Sequence, residues 1–161
     1  TTTLADISAG SVTNVATATA TNGVATLTSN SATATIATAI DCEPRHGALT
    51  TNPFRMTIYN YSPSATITIS EIDVYFNSGS GQKLKILTLN GSNIWIGNLA
   101  SPAIITFPSG TITLAPGTNK QLAASFAKTY VPNGTERILV RFAEYGCPIL
   151  DSSNTSQLPS Q

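Results

Sequence analysis

Charge is what this sequence most lacks. Its 161 residues include eight Lys or Arg and eight Asp or Glu, 10% in all, where soluble domains usually carry roughly 25%. The two signs cancel. No basic stripe is available to release counterions from a phosphate backbone, which excludes nucleic-acid binding. The same neutrality excludes electrostatic docking on an anionic membrane surface. No apolar run reaches the roughly 18 residues that a bilayer span requires, so no direct membrane span is expected. The chain opens at Thr1 with no secretory leader, and is read as a mature or trimmed product. Disorder through charge is excluded as well, because 41% of the residues are hydrophobic and the net charge is zero.

Catalytic groups are equally sparse. His46 is the single histidine. It lies in Asp41-Cys42-Glu43-Pro44-Arg45-His46-Gly47, the one dense polar island. Asp41 and Glu43 could hold a cation there, or Cys42 and His46 could form a pair. The plain reading is a solvated turn. Arg45 and His46 could also lower the Cys42 thiol pKa, a weak redox signal. Glu71 and Asp73 sit two apart and share one strand face, the spacing of a paired-carboxylate acid/base site. An ion pair with Lys83 or Lys85 explains them more simply. No Gly-rich phosphate loop joins a strand to a helix. Thr and Ser are abundant, but a hydroxyl without an adjacent base is not a nucleophile. The expectation is a protein that is not an enzyme, with no cofactor and no metal.

Cysteine occurs twice, at Cys42 and Cys147. Neither has partners at zinc-ligand spacing. The pair reads either as two core thiols or as one disulfide, and an exported protein favours the disulfide.

The N-terminal quarter is almost entirely Thr, Ala, Ser, Asn, Gly and aliphatics, with no charge at all from Val12 to Ile40. Thr alternating with Ala or an aliphatic residue has the period of a strand. Asn22-Gly23 in the middle predicts a tight primed hairpin turn. Such strands suit proteins that assemble through sheets. Residues 1–41 are therefore read as an intersubunit or donor-strand segment, with Leu4, Ile7, Val12 and Val15 as subunit-contact residues.

From Cys42 onward the pattern is short strands separated by Gly, Pro and Asn about every ten residues. Phe54, Met56 and Ile58 alternate with Arg55, Thr57 and Tyr59. Ile67 and Ile69 are followed by Ile72, Val74 and Phe76, one residue out of phase across Ser70-Glu71, which predicts a bulge. Ile138, Val140 and Phe142 repeat the alternation. The best helix candidate, Asn119 to Tyr130, still reads better as strand. The fold class is all-β, an antiparallel β-sandwich of Ig-like or jelly-roll-like type over residues 42–150, with 151–161 a frayed polar tail. Sequons at Asn60, Asn90, Asn133 and Asn154 offer glycosylation sites. Trp95, between Ile94 and Ile96, is either a core residue or a sugar-stacking platform.

The stretches LKILTLNGSNIWIG, ITLAPGTNKQLAASF and TERILVRFAEYGC resemble the globular head domain of type IV pilin-like surface filament proteins, whose heads also end in a strand leading to Gly-Cys. The resemblance implies an extracellular homopolymer. It departs from the family at the N-terminus, where pilins carry a long apolar helix; that helix would be removed or belong to a separate helical pilin chain. Small Thr/Ala-rich fimbrial subunits, which polymerise by donor-strand exchange, are similar in size and composition. The expected function is a structural filament subunit at the cell surface. A carbohydrate- or receptor-binding module using Trp95 with Tyr59, Tyr61 or Tyr75 is the alternative, and a viral coat protein a further one.

Overall fold

The computed structural model describes residues 11–37 and 41–159. Residues 11–37 form an arm of four short strands, β1 (Ser11–Ala16), β2 (Thr19–Thr21), β3 (Thr26–Thr28) and β4 (Ala32–Ala37). β1 pairs antiparallel with β4 and β2 with β3, so the arm is one long, interrupted hairpin. Asn22-Gly23 reverses it, but in a four-residue turn rather than a two-residue one. Gly23 takes φ 87°, while the Asn22 side-chain oxygen accepts from the Val24 and Ala25 amides. Asparagine here caps the turn through its side chain instead of adopting the left-handed backbone.

The expected antiparallel β-sandwich is present in residues 44–151. One sheet runs β10 (Ser92–Leu99), β9 (Leu84–Leu89), β13 (Asn119–Phe126), β7 (Phe54–Asn60) and β5 (Pro44–His46), with β6 (Thr50–Thr51) also paired to β7. The other runs β11 (Ala103–Thr106), β8 (Ile67–Tyr75), β14 (Arg137–Phe142) and β15 (Leu150–Asp151), with β12 (Thr113–Leu114) also on β8. The helix candidate at Asn119 is strand β13. Only two 3-10 turns, Gly79–Gly81 and Thr155–Gln157, are helical among the described residues, and no helix there is long and apolar enough to cross a membrane.

Alternation explains the core. In β7, Phe54, Met56 and Ile58 point inward and are buried. They meet Ile67, Ile69, Ile72 and Val74 of β8, Leu84 and Leu87 of β9, Leu122 of β13 and Val140 of β14, all buried in one cluster. β8 keeps both halves of its apolar set inside through a bulge. Arg141 pairs with Glu71 and Phe142 with Ile69, leaving Ser70 without a partner across the ladder. One extra residue restores the inward phase that a straight strand would lose. Asn90-Gly91 supplies the tight hairpin between β9 and β10, with φ 49° and 78°. These are the paired positive angles of a primed two-residue turn.

The C-terminal segment is docked, which corrects the expectation that it frays. The Ser152 amide donates to the Ile138 carbonyl at 3.0 Å, and the Gln157 side chain accepts from the Asp151 amide and donates to the Ile149 carbonyl, both at 2.8 Å. Polar composition alone suggested a free tail, but its amides find partners on β14 and on its own turn.

Candidate assembly surface

The arm is the part of the chain with the least to hold it. Every side chain described in it is exposed. Val24 is 96% and Leu27 77% exposed, and Val15 is exposed as well. Its internal ties are hydrogen bonds alone: the ladders, the Asn22 turn, Ser29 with Ala18, and two threonine pairs, Thr13 with Thr35 and Thr21 with Thr26, at 3.2 and 3.3 Å. A two-stranded hairpin without a core is marginal in water. The outer edges of β1 and β4 leave rows of backbone N–H and C=O groups for another strand, with no charge to deter it. Of the expected contact residues, Leu4 and Ile7 lie outside the described residues. Val12 is on β1 opposite Ile36, but its side chain is also outside them. Val15 faces solvent.

Residues 11–16, part of the stretch expected to act as a donor strand, pair with residues 32–37 of the same chain. The sandwich core is closed by strands from within 44–151, and arm residues 13–35 take no part in it. Strands β1 and β4 thus pair with each other and each keeps one outer edge.

The polar island holds structure together. Cys42 and Cys147 form the expected disulfide, with Cα atoms 5.2 Å apart, so neither the free-thiol nor the Cys-His reading survives. Glu43 is taken by Arg45 at 2.9 Å, while Asp41 is exposed. No group of three potential metal ligands occurs among the described residues. His46 is buried rather than solvated. Its Nδ1 lies 3.0 Å from the Gly47 carbonyl and its Nε2 3.1 Å from that of Asn154, clamping β5 to the C-terminal segment.

Glu71 and Asp73 do share a face, but Arg141 holds both, at 2.7 and 3.1 Å. The lysines suggested by proximity in sequence are not their partners, because β14 and not β9 lies beside β8. Asp73 is buried and its Oδ1 has no hydrogen-bond partner. The two carboxylates are thus engaged with one guanidinium. Next to it, Arg137 forks onto both oxygens of Asp151. That hydrogen bonding draws the Asp151 carboxyl down to about 2, against the opposing effect of burial. Burial, followed by the hydrogen bond to Glu136, pushes the Tyr130 phenol up to about 12.

Trp95 is half-buried on edge strand β10. Its ring lies over Gly97: a Cβ added there would fall 2.2 Å from the indole. The tyrosines are elsewhere. Tyr59 and Tyr61 stack on each other at 5.8 Å, and Tyr75 sits on the opposite sheet beneath Arg137, 5.9 Å from the ring centre. Asn60 is buried, and its side-chain nitrogen donates to the Ala65 and Leu114 carbonyls, so a glycan there is incompatible with this fold. Asn90, Asn133 and Asn154 are exposed.

Sequence reasoning passed over two exposed apolar residues, Ile96 of β10 (68%) and Ile104 of β11 (54%). The signal was present in Ile94-Trp95-Ile96 and Ile104-Ile105. A strand with consecutive apolar residues must turn one of them outward. Comparison with family models, curated proteins and solved structures finds no match for this chain.

Proposed function

We propose that this chain is a structural subunit of an extracellular filament of the pilus or fimbria kind, assembling through sheet edges and hydrophobic contacts between copies. The observation that carries the reading is the arm: an uncharged, exposed hairpin with open edges, attached to a sandwich that is already complete. A free monomer gains nothing from such an element and risks aggregation. In a polymer it becomes the connector. The disulfide fits an oxidising compartment outside the cell, and the near-absence of charge suits close association of copies. The work is mechanical, without catalysis or cofactor. The long apolar helix that type IV pilins carry would come to such a filament from a separate helical chain.

A carbohydrate- or receptor-binding role has one supporting feature, the stacked Tyr59 and Tyr61 with Tyr61 exposed. Trp95, half-covered and apart from that pair, lends it little.

Negative-stain electron microscopy of the purified chain across a concentration series tests the proposal. Regular fibres are the expected result. Closed shells would favour a coat protein, and particles that remain dispersed at every concentration would overturn self-assembly.

A further inference from the structure

The six-stranded sheet carries a compact group of unlike side chains on its outer face, at its β5 end. Arg45 pairs with Tyr59 across β5 and β7. The Tyr61 amide donates to the Glu43 carbonyl at 2.9 Å, which carries that ladder one residue past each strand's end. Period two therefore puts Glu43, Arg45, Tyr59 and Tyr61 on one face, while Pro44 and Asn60 between them are buried. The two tyrosine rings stack at 5.8 Å, inclined by 26°. Glu43 and Arg45 form an ion pair at 2.9 Å. Pro159 of the C-terminal segment joins Glu43, Arg45 and Tyr61 in lining a cleft. Backbone contacts hold these walls in place. Arg45 donates to the Ser156 carbonyl, and the Glu43 amide to the Ser62 hydroxyl, both at 2.9 Å.

Each part restricts what can bind. The rings lie against each other, so they make a platform and not the aromatic cage that a quaternary ammonium needs. Arg45 beside them repels a cation, and Glu43 repels an anion. The ion pair is neutral as a whole, which suits a neutral ligand that both donates and accepts hydrogen bonds. Tyr61 is exposed and offers apolar ring surface. The cleft holds about 90 Å³, against the roughly 300–1,000 Å³ of a site that encloses a drug-sized ligand. It can grip one face of one small ring. A hexopyranose has the matching features: an apolar C–H face, hydroxyls that donate to a carboxylate and accept from a guanidinium, and no charge. We infer that this cleft is a surface site for a single neutral hexopyranose unit, its C–H face on Tyr61 and two neighbouring hydroxyls shared between Glu43 and Arg45. The site is independent of the filament reading.

The test titrates the full chain with methyl β-D-glucopyranoside, methyl β-D-galactopyranoside and methyl α-D-mannopyranoside. Saturation-transfer NMR follows the sugar, and amide shifts follow the protein. At least one glycoside should bind at millimolar concentration, with transfer strongest on one C–H face and shifts centred on residues 43–46 and 59–62. Tyr61→Ala should weaken binding at least about tenfold. Tyr61→Phe, which keeps the ring, should stay within about twofold of wild type. Glu43→Gln keeps the shape but loses the charge-assisted acceptor, and should weaken binding about five- to tenfold. Tyr145→Ala, at another exposed tyrosine, should change nothing. Unchanged melting checks that each variant folds. Failure of all three glycosides to bind would overturn the site. So would binding that survives Tyr61→Ala intact. Either result would leave the filament reading untouched, because that reading is scored by fibres and not by sugar.

Discussion

The arm and the sandwich are written in the same two-residue alphabet, yet they are held by different forces. In the sandwich, alternation delivers Ile72, Leu122 and Val140 to a core where each is buried from both sheets. In the arm, it delivers Ala20 and Leu27 to positions opposite each other across one ladder, with no second layer above them. Strand propensity and a good turn specify the arm's pairing, but burial is what makes pairing stable. A hairpin of this kind is an unfinished structure, and the proposal that copies complete one another follows from that contrast.

If the contrast is right, perturbations in the sandwich should be costly and those in the arm nearly silent for the isolated chain. The largest effect is expected from Cys42→Ala with Cys147→Ala. The bridge spans 105 residues, and its loss should lower unfolding stability by about 4–5 kcal/mol in the chain-entropy picture, read by denaturant titration. Next comes Ile138→Ala, which deletes a buried β14 side chain and should cost about 2–5 kcal/mol in the same assay. A smaller, pH-dependent loss should come from Asp151→Asn. Arg137 holds the Asp151 carboxyl at about 2, below the roughly 3.9 of an unfolded aspartate. Its contribution is therefore complete above pH 4 and disappears as pH falls toward 2. The variant's stability curve should run below wild type at neutral pH and converge with it by about pH 2. Smallest of all, Leu27→Ala in the arm should change monomer stability by less than about 0.5 kcal/mol. A Leu27 cost comparable to that of Ile138 would show that the arm packs on a core of its own and would break the comparison.

Much of the sandwich was legible because its signals are local. The phase slip at Ser70 announced the bulge, and the spacing of Gly, Pro and Asn announced the short strands. What stayed hidden was pairing across long separations. Glu71 and Asp73 were visible as a pair, but Arg141, their partner, depends on β14 lying beside β8. His46 looked solvated because the segment that covers it, at Asn154, is far away in sequence. The tail looked free for the same reason. Trp95 invited a cleft with tyrosines that topology puts on other strands. Of the candidate surface, the uncharged arm was readable from composition, while the exposed Ile96 and Ile104 needed the edge positions of β10 and β11.

The most direct measurement is analytical sedimentation, with electron microscopy, of the full chain beside a variant lacking residues 1–37. The account predicts that the full chain forms fibres while the truncated chain stays monomeric and melts at the same temperature. Fibres that form equally well without the arm would contradict it.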